Sequence, residues 1–176
     1  MRELGLIAQD SANYGLDLYH KPMLAALLQA LAKIDQIAWI RVLYSYPKYF
    51  SDELIEVFAQ EPKIVKYVDL PLQHAHDAVL RAMNRPDTRA GLEKLIKKLR
   101  ERIPGVSIRS TFIVGFPGET DTHYQALRRF VEEQRFDKVG IFTYSEEEDT
   151  PAAQMPQKVS EEIMQERYHD LMSLQS

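Results

Sequence analysis

The chain has 176 residues, 45% hydrophobic and 27% charged, enough for a single domain (1–176) with a real apolar core and too apolar for a disordered chain. A formal net charge of −4 argues against strong nucleic-acid binding, which draws on Lys and Arg, and the absence of cysteine excludes disulfides, thiolate metal sites and a cysteine nucleophile from these residues. No apolar run reaches the roughly 18 residues of a membrane span and no charged-then-apolar leader precedes the first strand, so no membrane partner and a cytoplasmic location are expected.

In chain order, alternation at Leu4, Leu6 and Ala8 predicts a first strand. Leu24, Leu27, Leu28, Leu31 and Ile34 then recur at helical spacing, with Pro22 opening the first turn. A second strand is expected over 38–44, and Ser51 reads as the N-cap of a helix whose Asp52 and Glu53 suit its positive end. The third strand spans 66–70, followed by a short helix through Val79, Leu80 and Met83. Thr88 caps a longer one along Leu92, Leu95, Ile96, Leu99 and Ile103. The fourth strand, 106–114, is the richest in β-branched residues. A helix with Tyr124, Leu127 and Val131, a fifth strand over 138–144 and a helix capped by Ser160 complete the series. Strand followed by helix, five times, predicts an α/β fold of five parallel strands with right-handed crossovers.

The two ends of such a sheet differ. Helix-to-strand connections, such as Pro104-Gly105, are short. The strand-to-helix connections carry the chemistry: Gln9-Asp10 onward, Ser45 to Tyr49 with Tyr46, Pro71 to His76, Gly115 to Glu119, and Ser145 to Thr150. Ligands bind at the carboxyl ends of strands in α/β folds, so this rim is the expected binding face.

Gly115-Phe116-Pro117-Gly118-Glu119-Thr120 lets backbone approach a ligand beside a helix start, or is an ordinary tight turn. It is neither a dinucleotide fingerprint nor a P-loop. Arg109 shares a strand face with Ser107, Thr111 and Ile113. It either grips a ligand carboxylate or pairs with Asp69, for which Arg41 is the other structural partner. His74 and His76 are too few for a metal site, so no metal ligand is assigned. They suit a substrate loop or a helix cap near Asp77.

Taken together, Leu6-Ile7-Ala8-Gln9-Asp10 with Tyr14-Gly15, Tyr67 to Ala75, Arg85-Pro86, Thr111 to Thr120, and Tyr144-Ser145 with Thr150 to Ala153 resemble the radical S-adenosylmethionine domain of methylthiotransferases, in one collinear order across the chain. Ala8-Gln9-Asp10 and Gln73-His74-Ala75 resemble the branch that modifies ribosomal protein S12. The tRNA-modifying branch, which acts on an adenosine beside the anticodon, more often has Gly-Gln-Asn and Gln-Ser-Gly. A non-catalytic module binding S-adenosylmethionine or another protein is the alternative of a different class.

The resemblance implies a partial TIM-like barrel, S-adenosylmethionine and [4Fe-4S] clusters as cofactors, and β-methylthiolation of an S12 aspartate in the 30S subunit. It implies cofactor contacts at Gln9, Asp10, Gln73, Arg109, Thr111, Gly115, Phe116, Pro117, Gly118, Tyr144 and Ser145, and substrate contacts at Tyr46 and His74. The family's Cys-x-x-x-Cys-x-x-Cys loop has no counterpart here. The expectation is therefore a fragment lacking the first βα unit, inactive alone, with its first strand left as a sheet edge.

Overall fold

The computed structural model describes Arg2 to Leu174. The chain divides into two compact units. One holds the residues up to Pro71 with Lys94–Arg109; the other holds Leu72–Glu93 with the residues from Ser110 on.

In the first unit β1 (Glu3–Leu6) pairs in parallel with β2 (Trp39–Val42), Glu3 opposite Trp39 and Leu6 opposite Val42. No strand is assigned on the other side of β1 among the described residues. Both strands are shorter than their sequence predicts because Ser11 ends the ladder. Its N–H donates to Tyr44 O at 2.8 Å and its hydroxyl to Leu43 O at 2.6 Å, drawing the chain into a short 3₁₀ turn, Ser11–Asn13. The connection also holds a short helix, α1 (Leu16–Tyr19), that periodicity does not show. α2 (Leu24–Ala32) buries Leu24, Ala25, Leu28 and Ala32, whereas Ile34 lies beyond its end and is exposed. α3 (Asp52–Gln60) starts at Ser51, whose side chain accepts from Leu54 N as its cap, and buries Leu54, Ile55, Val57 and Phe58. At its far end Lys66 Nζ donates to the carbonyls of Phe58 and Glu61, satisfying acceptors that the helix leaves open. Burial lowers the Lys66 pKa, with Glu61 opposing the shift.

Three further strands, β3 (Tyr67–Gln73), β4 (Ser107–Val114) and β5 (Lys138–Thr143), form a sheet in the order β3-β4-β5; β3 and β4 pass from the first unit into the second. The five expected strands thus fall into two sheets rather than one. Among the described residues, β2 and the run into β3 are joined by an isolated parallel bridge, Ile40 with Ile64, and by the bond from Ser45 N to Asp69 O at 2.9 Å rather than by a ladder. Where the ladder stops, Tyr44 turns to φ +56° and gives its N–H to the Asp69 carboxylate at 3.1 Å instead of to a strand carbonyl.

β4 alternates as its sequence predicts. Ile108, Ser110, Phe112 and Val114 are buried, while Ser107, Arg109, Thr111 and Ile113 lie on the opposite, half-buried face. α4 (Asp77–Ala82) opens at His76, whose Nδ1 accepts from Ala78 N at 3.2 Å. α5 (Arg89–Arg102) follows Thr88, whose hydroxyl accepts from Gly91 N. In the second unit α6 (Asp121–Gln134) starts with a capping box of Thr120 and His123 and covers the Phe112, Phe130 and Phe136 cluster. α7 (Glu161–Ser173) is capped by Ser160 and buries Arg167 and Leu171. No described helix is long and apolar enough to cross a membrane.

Candidate functional site

The second unit holds a cavity of about 590 Å³. Ile113 at the end of β4, Phe116 after it, and Thr143, Tyr144 and Ser145 at and after β5 form one side. Gln73 at the end of β3 and Met83, Asn84 and Arg85 after α4 form another, and the turn from Thr150 to Met155 closes the third. Its lining is mostly apolar. Phe116 and Tyr144 meet edge to face, ring centroids 5.4 Å apart, as one corner.

Two polar atoms in this lining are buried without a protein partner: Gln73 Oε1 and Tyr144 Oη. Such atoms cost free energy unless a ligand or water satisfies them. Backbone strain gathers on the same walls, where Gln73 has φ +70° and Asn84 φ +56°. Asparagine tolerates that region; a glutamine ending a strand is held there by its surroundings.

The Gly115 turn is fixed by a buried network. Glu119 is buried, and its Oε2 accepts from Gly115 N and from Arg167 Nη1, the latter at 2.9 Å. Its Oε1 meets His74 Nε2 at 3.1 Å. His74 Nδ1 accepts from His76 N at 2.9 Å, so the ring proton sits on Nε2 and the imidazole donates to the carboxylate. Arg167 also donates to Glu119 O at 3.2 Å and lies over the Tyr124 ring, 5.1 Å from its centroid. Tyr124 in turn donates to Asp170, which takes Arg128 Nε at 2.9 Å. Burial, then the Asp170 bond, raises the Tyr124 pKa well above that of a free phenol. Burial works against ionisation of Asp170, but the bonds from Tyr124 and Arg128 win and hold its pKa below the usual carboxylate value. A side chain at Gly115, at φ +80°, would strain the backbone, and a Cβ there would stand 2.1 Å from Met164 Cγ, which would have to move.

Of the residues singled out in the sequence, the cavity gathers Gln73, Phe116, Tyr144 and Ser145. Gly115, Pro117 and Gly118 shape the adjoining turn, whose Gly118 N donates to Gln157 O at 3.0 Å. Thr111 sits two residues before Ile113 on the same face of β4. His74, expected against substrate, is fully buried with both ring nitrogens spent inside the unit.

The remaining candidates lie in the first unit. Asp10 Oδ1 accepts from Ala12 N at 3.1 Å and Tyr46 N at 3.0 Å, joining two loops through backbone; Gln9 is exposed. Arg109 pairs with buried Asp69 at 2.9 Å, the structural alternative for this arginine, while Arg41 binds Glu3 rather than Asp69. The walls from Met83 to Arg85 and from Thr150 to Met155 were missed as site residues. Their signal was the Asn84-Arg85-Pro86 and Asp149-Thr150-Pro151 punctuation, which marks shaped turns.

Residues 13–131 match the model of the Radical SAM superfamily. The chain belongs to this superfamily. Among curated proteins, this radical SAM chain is similar to the ribosomal protein uS12 methylthiotransferase RimO of Desulforamulus reducens, at 54% identity over 175 residues, 99% of this chain and 39% of that protein. The protein of the same name from Geobacter sulfurreducens is 50% identical over the same share of each. The chain therefore spans about two-fifths of the length of these relatives. Among solved structures, the radical SAM enzyme HemN, coproporphyrinogen III oxidase of Escherichia coli, superposes with a TM-score of 0.65 at 19% identity over 85% of this chain and 34% of that one. Methanocaldococcus infernus Elp3 gives 0.63 at 14% over 99% and 44%. These likenesses show the α/β radical SAM fold.

The superfamily implies S-adenosylmethionine, and the cavity fits its adenosine. The volume is that of a small-ligand pocket, and an orphaned carbonyl acceptor and a phenol stand among apolar walls, the chemistry a heteroaromatic amine satisfies. An iron–sulfur cluster does not fit these residues. Its ligands are thiolates, and the chain has no cysteine.

Proposed function

We propose that this chain is the cofactor-positioning part of a methylthiotransferase acting on an aspartate of ribosomal protein uS12. The supporting observation is the 54% identity over 175 residues, a span that takes in the cavity walls and the Glu119 network alike. S-adenosylmethionine, once bound, would supply the radical chemistry that activates the substrate carbon. The chain's own part is to bind and orient. Gln73 Oε1 and Tyr144 Oη would hold the polar edge of the adenosine, and Ile113 and Phe116 would exclude water around it. Ser145 and the Thr150 turn face the same space. Residues 1–176 act as one radical SAM core in this reading, and the cluster thiolates belong to parts of the parent enzyme outside this chain, so the chain alone does not turn over.

The test is a chimera of the Desulforamulus reducens relative carrying this chain in place of its matching segment. Mass spectrometry of uS12 after incubation with S-adenosylmethionine and reductant reads the outcome. A methylthio adduct on a uS12 aspartate is expected. An intact, cluster-loaded chimera that leaves uS12 unmodified overturns the reading, and an adduct on tRNA instead would move the chain to the tRNA-modifying branch.

A further inference from the structure

We propose that His74 and Arg167 are positioning residues which, through Glu119, hold the cavity walls in binding geometry; this rests on the cavity being the S-adenosylmethionine site. Three segments far apart in sequence each bring one donor to one carboxylate. His74 Nε2 comes from the chain after β3, Gly115 N from the end of β4, and Arg167 Nη1 from α7. Two of these donors are sequence neighbours of cavity residues, since Gln73 precedes His74 and Phe116 follows Gly115.

A buried carboxylate that loses a donor cannot be rehydrated where it stands, so the three segments keep their places together or shift together. Arg167 grips the turn twice, at the Glu119 side chain and at its carbonyl. Met164, one turn earlier on α7, fills the space over Gly115 that a side chain there would need. α7 therefore locks the cofactor turn by charge and by shape without itself lining the cavity. The strained φ of Gln73, next to a histidine fixed at both nitrogens, is the local consequence: the anchor at His74 holds the backbone of Gln73, a cavity-lining residue whose side-chain oxygen is buried without a partner.

The experiment is calorimetric titration of the 176-residue chain with S-adenosylmethionine, paired with amide hydrogen exchange. Arg167→Leu and His74→Leu are each expected to weaken binding about tenfold and to speed exchange at Gly115 by a similar factor. Leu171→Ala, which loosens the same helix through its packing alone, should leave both within about twofold at a comparable fall in Tm. If Arg167→Leu does not fold, Arg167→Lys carries the test, keeping the charge, losing the fork and moving both readouts about threefold. Leu171→Ala matching the effect of the arginine variants, or Gly115 exchange unchanged in them, overturns the proposal. A wild-type chain that does not bind S-adenosylmethionine sinks the cofactor reading alone. Exchange then decides by itself: acceleration confined to Gly115, Phe116 and Gln73 supports the lock, and acceleration spread over the whole unit overturns it.

Discussion

The two units each bury a carboxylate against an arginine, and they treat it differently. In the first, Asp69 has no exposed side-chain surface, but Arg109 keeps 30% of its own; in the second, Glu119 is equally buried and Arg167 keeps only 8%. Arg109 can turn to water if its partner is lost, whereas Arg167 and Glu119 have nowhere to turn. One pair is a tie between strands with a hydrated end. The other is a buried hub whose failure is felt by the Gly115 turn.

The sharpest way to break this contrast is to remove one partner from each pair and compare urea unfolding. Arg167→Leu strands a buried carboxylate and should cost about 3–5 kcal/mol. Gly115→Ala should cost about 1–3 kcal/mol from its left-handed backbone, with the contact against Met164 in addition. Adding Met164→Ala should recover the steric part and leave the backbone part, a coupling that a double-mutant cycle reads directly. Asp69→Asn keeps an acceptor for Tyr44 N and frees a cation that water can reach, so about 1–2 kcal/mol is expected. A loss at Asp69 equal to that at Arg167 would erase the distinction between the units.

The smallest effect is in pH. His76 is stacked on His123 at 4.2 Å, and its pKa is lowered by burial first, then by His123 and His74, with Arg81 adding to the shift and Asp77 opposing it. A lowered folded pKa means that folding favours the neutral ring. Its contribution is complete above the ordinary value of 6.5 and is lost as pH falls through that value toward the lower folded pKa. Protonation also removes the Nδ1 acceptor that caps α4. Urea midpoints should therefore fall between pH 7.5 and 5.5 more steeply in the wild type than in His76→Gln, and parallel slopes would remove His76 from the account.

Much of the fold was legible because it rests on local rules. Ser51, Thr88 and Ser160 cap helices where short polar side chains precede apolar stripes, and the β4 alternation follows from the pleat. What escaped was tertiary. Tyr44 leaves its ladder for the Asp69 carboxylate, 25 residues on, where the expected sheet divides. His74 stands between two loop residues in sequence, yet it is buried because Glu119, 45 residues away, accepts a hydrogen bond from its Nε2. Met83 and Met155 look like ordinary apolar residues until the turns that carry them close on one cavity.

By itself the order of amino acids determined the α/β class, the family resemblance and the absence of thiolates, since each depends on composition or on spacing within a single element. Which carboxylate meets which cation, which buried polar atoms lack a protein partner, and which glycine has a side chain packed over it were decided only in three dimensions. Hydrogen bonds and excluded volume act between segments whose separation along the chain carries no record of their meeting.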